Sequence, residues 1–100
     1  MATEEITTHD IKVGDLILNS GMRLRVDQEP QPTRHPVDSA AGVTLATAAR
    51  IENWDELVAE AKTGDRCASA FIVGQARQDD EGVARWVIQG NGWATWTRES

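Results

Sequence analysis

The chain has 100 residues, 40% of them hydrophobic, with four tryptophans, one phenylalanine and no tyrosine, which suits one small domain with a modest core. Its net charge of −6 argues against broad binding to nucleic acid, which depends on neutralising phosphates with Lys and Arg. No apolar run approaches the roughly 18 residues of a membrane span, the first residues lack the basic-then-apolar order of a secretion signal, and Cys67 is the single cysteine, so the expectation is a cytoplasmic protein with no disulfide and no membrane contact.

Residues 1–10 are polar and acidic. They read as a flexible N-terminal arm, or as a first strand that needs a partner, ahead of a single small β-barrel-like domain over 11–100. Residues 15–27 predict a tight hairpin. In Met22-Arg23-Leu24-Arg25-Val26-Asp27 the apolar and charged positions alternate strictly, which is the period of a half-buried strand. A three-residue loop ending in Gly21 would set Leu18 opposite Met22, Leu16 opposite Leu24 and Asp15 across from Arg25. A two-residue loop would instead pair Leu16 and Leu18 with the arginines, a poorer match.

Pro30, Pro32 and Pro36 make 28–42 a long, stiff loop, because proline cannot donate to a central ladder. Residues 43–51 alternate as a strand with Val43, Leu45, Thr47, Ala49 and Ile51 on one face. The spacing predicts a helix over 53–62. Asn53 and Glu56 resemble a capping box, Trp54, Leu57, Val58 and Ala61 form the apolar stripe, and Gly64 is the stop. Residues 68–77, with an almost continuous apolar centre, read as a strand. A polar turn at 78–82 leads to another over 83–89, and Asn91-Gly92 predicts a two-residue hairpin into 93–98. The resulting fold class is mainly β with one short helix (α+β), a small partly open barrel of five to six antiparallel strands.

Ile11-Lys12-Val13-Gly14-Asp15-Leu16-Ile17-Leu18, followed by Gly21 and Arg23-Leu24-Arg25-Val26, resembles the opening hairpin of SH3-like small barrels. The helix between the third and fourth strands departs from a minimal barrel of that kind and matches an OB-like order, the competing topology. Trp86-Val87-Ile88-Gln89-Gly90-Asn91-Gly92-Trp93-Ala94-Thr95-Trp96 resembles the ends of small accessory proteins of actinobacterial phages, which carry no assigned activity and no catalytic residue to transfer.

Chemistry is sparse in the sequence. His9, His35 and Cys67 lack the short spacing of a metal site, so no metal and no cofactor is expected. Cys67 has no nearby histidine to activate it and reads as a passive thiol. Gly90-Asn91-Gly92 is too short for a phosphate loop and lacks its lysine. Asp79-Asp80 sits on a turn tip, where solvent explains it. An enzyme is therefore not expected.

The tryptophans carry more. In the Asn91-Gly92 hairpin, Ala84, Trp86, Ile88 and Trp93 share a core side, and Arg85, Val87, Gln89, Trp96 and Arg98 share the other. Trp and Arg are the residue types enriched at binding hot spots. Trp96, Arg85 and Arg98, joined by Arg23 and Arg25 if the two hairpins adjoin, are the candidate binding residues. The alternative is that the helix, the N-terminal segment or the proline loop covers Trp96. The functional expectation is a non-enzymatic protein-binding module, a phage accessory factor acting on a host protein in the host cytoplasm. A small-ligand binder that sequesters a nucleotide is the alternative. Single-strand binding on an OB-like face and self-assembly through strand edges rank below both.

Overall fold

The computed structural model describes residues 2–33, 42–63 and 68–99. Eight strands occupy them: β1 (Thr3–Thr7), β2 (Leu16–Asn19), β3 (Met22–Arg25), β4 (Gln31–Pro32), β5 (Leu45–Ile51), β6 (Arg77–Gln78), β7 (Ala84–Gly90) and β8 (Thr95–Glu99). Two helices, α1 (Trp54–Ala61) and α2 (Ala68–Gln75), lie between β5 and β6, and a 3-10 turn spans Thr8–Asp10. The strands form one antiparallel sheet in the order β1-β8-β2-β3-β5-β7-β6, with β4 paired to β5 off this path. The sheet is not closed, and the architecture is the mainly β, partly open arrangement that the alternation implies. Strands β2-β3-β5-β7 run as a meander, a simpler path than an OB-like Greek key.

The core lies on one face of this sheet. Ile17, Met22, Leu24, Ala49, Ile51 and Ile88 are buried there, and Leu57 of α1 and Ile72 of α2 belong to the same cluster. The expected face of β5 is the observed one: Thr47, Ala49 and Ile51 are buried.

Several expectations are corrected. Residues 3–7 are the first strand of the two readings given for the N-terminal segment and not an arm, and the partner they need is β8, paired from Thr3↔Glu99 to Thr7↔Thr95. The first hairpin takes the two-residue loop that pairing preferences disfavoured. Ser20 (φ 52°) and Gly21 (φ 85°) both occupy the left-handed region, as a type I′ turn matched to strand twist requires. The register is Asn19↔Met22, Ile17↔Leu24 and Leu16↔Arg25. Leu16 therefore lies on the outer face between its register neighbours Arg25 and Glu99 and is nonetheless buried, since the aliphatic stem of an arginine can cover apolar surface.

Pro32 stands in the edge strand β4 against Leu45, consistent with its missing donor. The rest of the loop with Pro36 and His35 lies outside the described residues, as do Gly64 and Cys67. Asn53 does not cap α1 through its side chain. Its amide instead bridges to the hairpin, accepting from Arg23 N at 3.0 Å and donating to Gly21 O at 2.9 Å.

Residues 68–75 are a helix, not a strand. An apolar run of this length has no decisive period, and tertiary packing settles it. Ser69, Ile72, Val73 and Ala76 follow the i, i+3, i+4, i+7 rule. Ser69 and Ile72 are buried, and Val73 and Ala76 pack against the core. Asn91-Gly92 makes a turn but no hairpin. β7 pairs with β5 and β6, whereas β8 crosses to pair with β1 and β2. The Asn91 carboxamide oxygen accepts from Trp93 N and Ala94 N. Thr8 N donates to Ala94 O, so the corner is pinned to the 3-10 turn.

Candidate binding site on the outer sheet face

The crossing at Asn91 redistributes the tryptophans. Trp54, Trp86 and Trp96 pack against the core, and the Trp96 indole N–H donates to Thr8 Oγ1 at 2.8 Å. Trp96 is thus partly buried, on the core side of β8, with its indole N–H held by the 3-10 turn. Trp93, expected in the core, is 70% exposed, because the turn ends there instead of continuing a hairpin.

The predicted arginines are also taken up internally. Arg98 lies on the core side of β8, opposite Ile17 and Glu4. Its guanidinium bonds to the Glu4 carboxylate and reaches Asp15 at 3.1 Å, and these hydrogen bonds raise its pKa. Arg23 Nη1 sits 2.8 Å from the buried Glu99 Oε2. Arg25 donates to Glu52 from Nε and Nη2 at 3.2 and 3.3 Å, and its Nη1 donates to Gly14 O at 2.8 Å. Arg85 is the most tightly held, with Asp27 at 2.7 Å, Asp79 at 2.9 Å and Ala48 O at 2.9 Å. Its hydrogen bonds to Asp27 and Asp79 push its own pKa further up, and the same bonds hold both carboxyls below the usual range. The expected Trp/Arg face therefore does not form.

A different arrangement does. On the outer face, Arg25 is in register with Arg50, Arg50 with Arg85, and Arg85 with Arg77. Four arginines stand side by side across β3, β5, β7 and β6. Like charges directly opposite are unfavourable. Glu52 answers Arg25, and Asp27 and Asp79 answer Arg85. Arg50 and Arg77 are exposed and have no hydrogen bond or ion pair among the described residues.

Next along the strands, Ala48 faces Val87. Val87 is 55% exposed in the middle of β7, where β5 pairs with it on one side and the two-residue β6 reaches only Ala84 and Arg85 on the other. These two residues floor an open cavity of about 480 Å³, walled by Arg85, Arg77 and Asp79 and reached by Gln75 at the end of α2 and by Trp86. Arg50 lines a smaller hollow of about 220 Å³ towards the start of α1. The arrangement offers an apolar floor with the available guanidinium of Arg77 in its wall and that of Arg50, two residues along β5 from Ala48, lining the neighbouring hollow.

Among the described residues, no three His, Cys, Asp or Glu side chains are placed to hold a metal, and no helix is long and apolar enough to cross a membrane. No family model, curated protein or solved structure matches the chain.

Sequence reasoning named Arg25 and Arg85 but not Arg50 or Arg77. The alternation over 45–51 does place Arg50 opposite the buried set. The misread helix at 68–75 hid the fact that Arg77 begins an edge strand.

Proposed function

We propose that the protein is a non-enzymatic protein-binding module, and that its partner docks on the cavity floored by Ala48 and Val87. The observation that carries this is the exposed Val87 at the centre of a paired strand, at the bottom of a hollow of about 480 Å³. An exposed apolar floor with a few polar groups around it is the composition of a recognition site. The resemblance of the C-terminal segment to actinobacterial phage accessory proteins supports a host protein as the partner, met in the host cytoplasm.

The test places a photoreactive amino acid at position 87 and, as a control, at position 93. Each protein is irradiated in actinobacterial lysate. Position 87 is expected to yield a discrete adduct that unlabelled wild-type protein competes away and unlabelled Val87→Asp does not. Absence of an adduct at 87, or equal competition by Val87→Asp, refutes the site.

The size of the cavity, within the range of small-ligand pockets, and the presence of Trp86 in its wall favour nucleotide sequestration as the second reading. Titration of tryptophan fluorescence with a nucleotide panel would then give saturable changes that Arg77→Ala weakens.

A further inference from the structure

We infer that the docking segment is acidic: an extended peptide that sets an apolar side chain on Val87 and Ala48 and carries two carboxylates to Arg50 and Arg77. This inference rests on the docking site proposed above and adds the chemistry of its occupant.

The first argument is charge accounting along the register. The row Arg25-Arg50-Arg85-Arg77 concentrates four positive charges on a chain whose net charge is −6. Three carboxylates are built in beside it, and all three are directed to Arg25 and Arg85. Asp27 feels the charge of Arg50 without bonding to it. The row is therefore neutralised at its first and third members and left open at its second and fourth. A row of like charges is a standing cost to the sheet, and an anionic partner would relieve it. The fork of an arginine suits a carboxylate, which can accept two parallel N–H bonds.

The second argument is spacing. Arg50 and Arg77 stand two strands apart, with β7 between them, so their backbones are separated by roughly 9.5 Å. In a polyproline II segment, which turns once every three residues with a rise of about 3.1 Å, residues three apart share a face and are separated by about 9.3 Å. An acidic residue, two intervening residues of which one is apolar, and a second acidic residue therefore match the two guanidinium groups while the apolar side chain reaches the floor. A nucleic acid fits less well. Its continuous run of phosphates would also meet Glu52, Asp55 and Asp79, which line the same two hollows, and binding of that kind relies on a broad excess of cations.

The experiment uses the full chain and four fluorescein-labelled peptides with Gly-Ser flanks. Their cores are Glu-Ala-Leu-Glu, Gln-Ala-Leu-Gln, Lys-Ala-Leu-Lys and Glu-Ala-Ser-Glu. Binding is read by fluorescence anisotropy at low and moderate salt. The Glu-Ala-Leu-Glu peptide is expected to bind about tenfold or more tightly than the Gln version, the scale of charge-assisted bonds, and to weaken as salt rises. Exchanging its Leu for Ser should weaken it too. The double variant Arg50→Glu/Arg77→Glu should lose this preference, and Arg50→Gln/Arg77→Gln should retain fold and lose most of the affinity. Both variants remove exposed side chains without bonded partners among the described residues, so circular dichroism should show an unchanged fold.

Equal binding of the Glu and Gln peptides, indifference to the arginine substitutions, or no binding of any peptide at millimolar concentration overturns the inference. Docking itself is judged separately. If the Gln peptide binds as well as the Glu peptide and Val87→Asp abolishes both, the site stands and its acidic specificity falls. If position 87 also gives no adduct in the crosslinking experiment, the site falls as well.

Discussion

Substituting Gly90 by alanine separates the observed corner from a hairpin by the sign of its effect. A Cβ at position 90 would lie 2.6 Å from Thr8 Oγ1 and 2.7 Å from Ala94 Cβ, both well inside ordinary contact. The φ of Gly90 is not in the left-handed region, so the backbone itself accepts alanine and the whole penalty is one of space. Overfilling a packed site costs about 1–3 kcal/mol. Replacing a strand glycine with alanine returns about 0.5–1 kcal/mol, which leaves a net loss of up to about 2.5 kcal/mol, and about 1 kcal/mol at the middle of both ranges. For a domain of this size each kcal/mol lost lowers Tm by about 4–8 °C. Thermal unfolding followed by circular dichroism measures it. Adding Ala94→Gly removes one of the two close contacts, so the double variant should melt above Gly90→Ala even though the second substitution alone is destabilising, a coupling expected of residues in contact. In the simple hairpin that Asn91-Gly92 suggests, position 90 would be open and alanine would stabilise. A Tm for Gly90→Ala at or above wild type would therefore refute the corner geometry.

Two further predictions concern polar pairs. Thr8→Val leaves the Trp96 indole N–H without its 2.8 Å acceptor and should cost about 1–3 kcal/mol in urea unfolding; Trp96→Phe should then cost less in the Thr8→Val background than in wild type. Arg85→Leu removes the hydrogen bonds that hold Asp27 and Asp79 below the usual carboxyl range. A lowered folded pKa stabilises at pH values above the unfolded one, about 3.9, and this contribution is lost as pH falls through the folded values. The Tm gap between wild type and Arg85→Leu should thus be full from about pH 5 to 7 and shrink as the pH drops below about 4; a gap that stays constant to pH 2 would contradict the assignment.

How far the sequence spoke depended on the range of the interaction that decided each element. The alternation in β3 and β5 and the apolar stripe of α1 are local, and they placed Leu24, Ala49, Ile51 and Leu57 correctly in the core. The helix at 68–75 was hidden because Ala-Phe-Ile-Val is apolar at every position, and only the packing of Ile72 and Ser69 distinguishes its faces. Asn91-Gly92 announced a turn but not which strand would receive the returning chain; that depends on β1 and β2, which lie far away in sequence. The arginine row is the extreme case. Each member lies on a different strand, and three independent registers must combine before the four meet.

The position of β8 between β1 and β2 also sets a timetable. The strand that completes one half of the sheet is the last of the eight to leave a ribosome, and its partner β1 is the first. Until Trp96 arrives opposite Ile6, β1 has no strand to join, whereas the meander β2-β3-β5-β7 can already assemble. Such pairing between distant parts of the chain slows folding and prolongs the exposure of open strands. A nascent chain halted after Gly90 would present two unsatisfied edges, on β1 and on β2, at the moment when many copies on one message lie closest together.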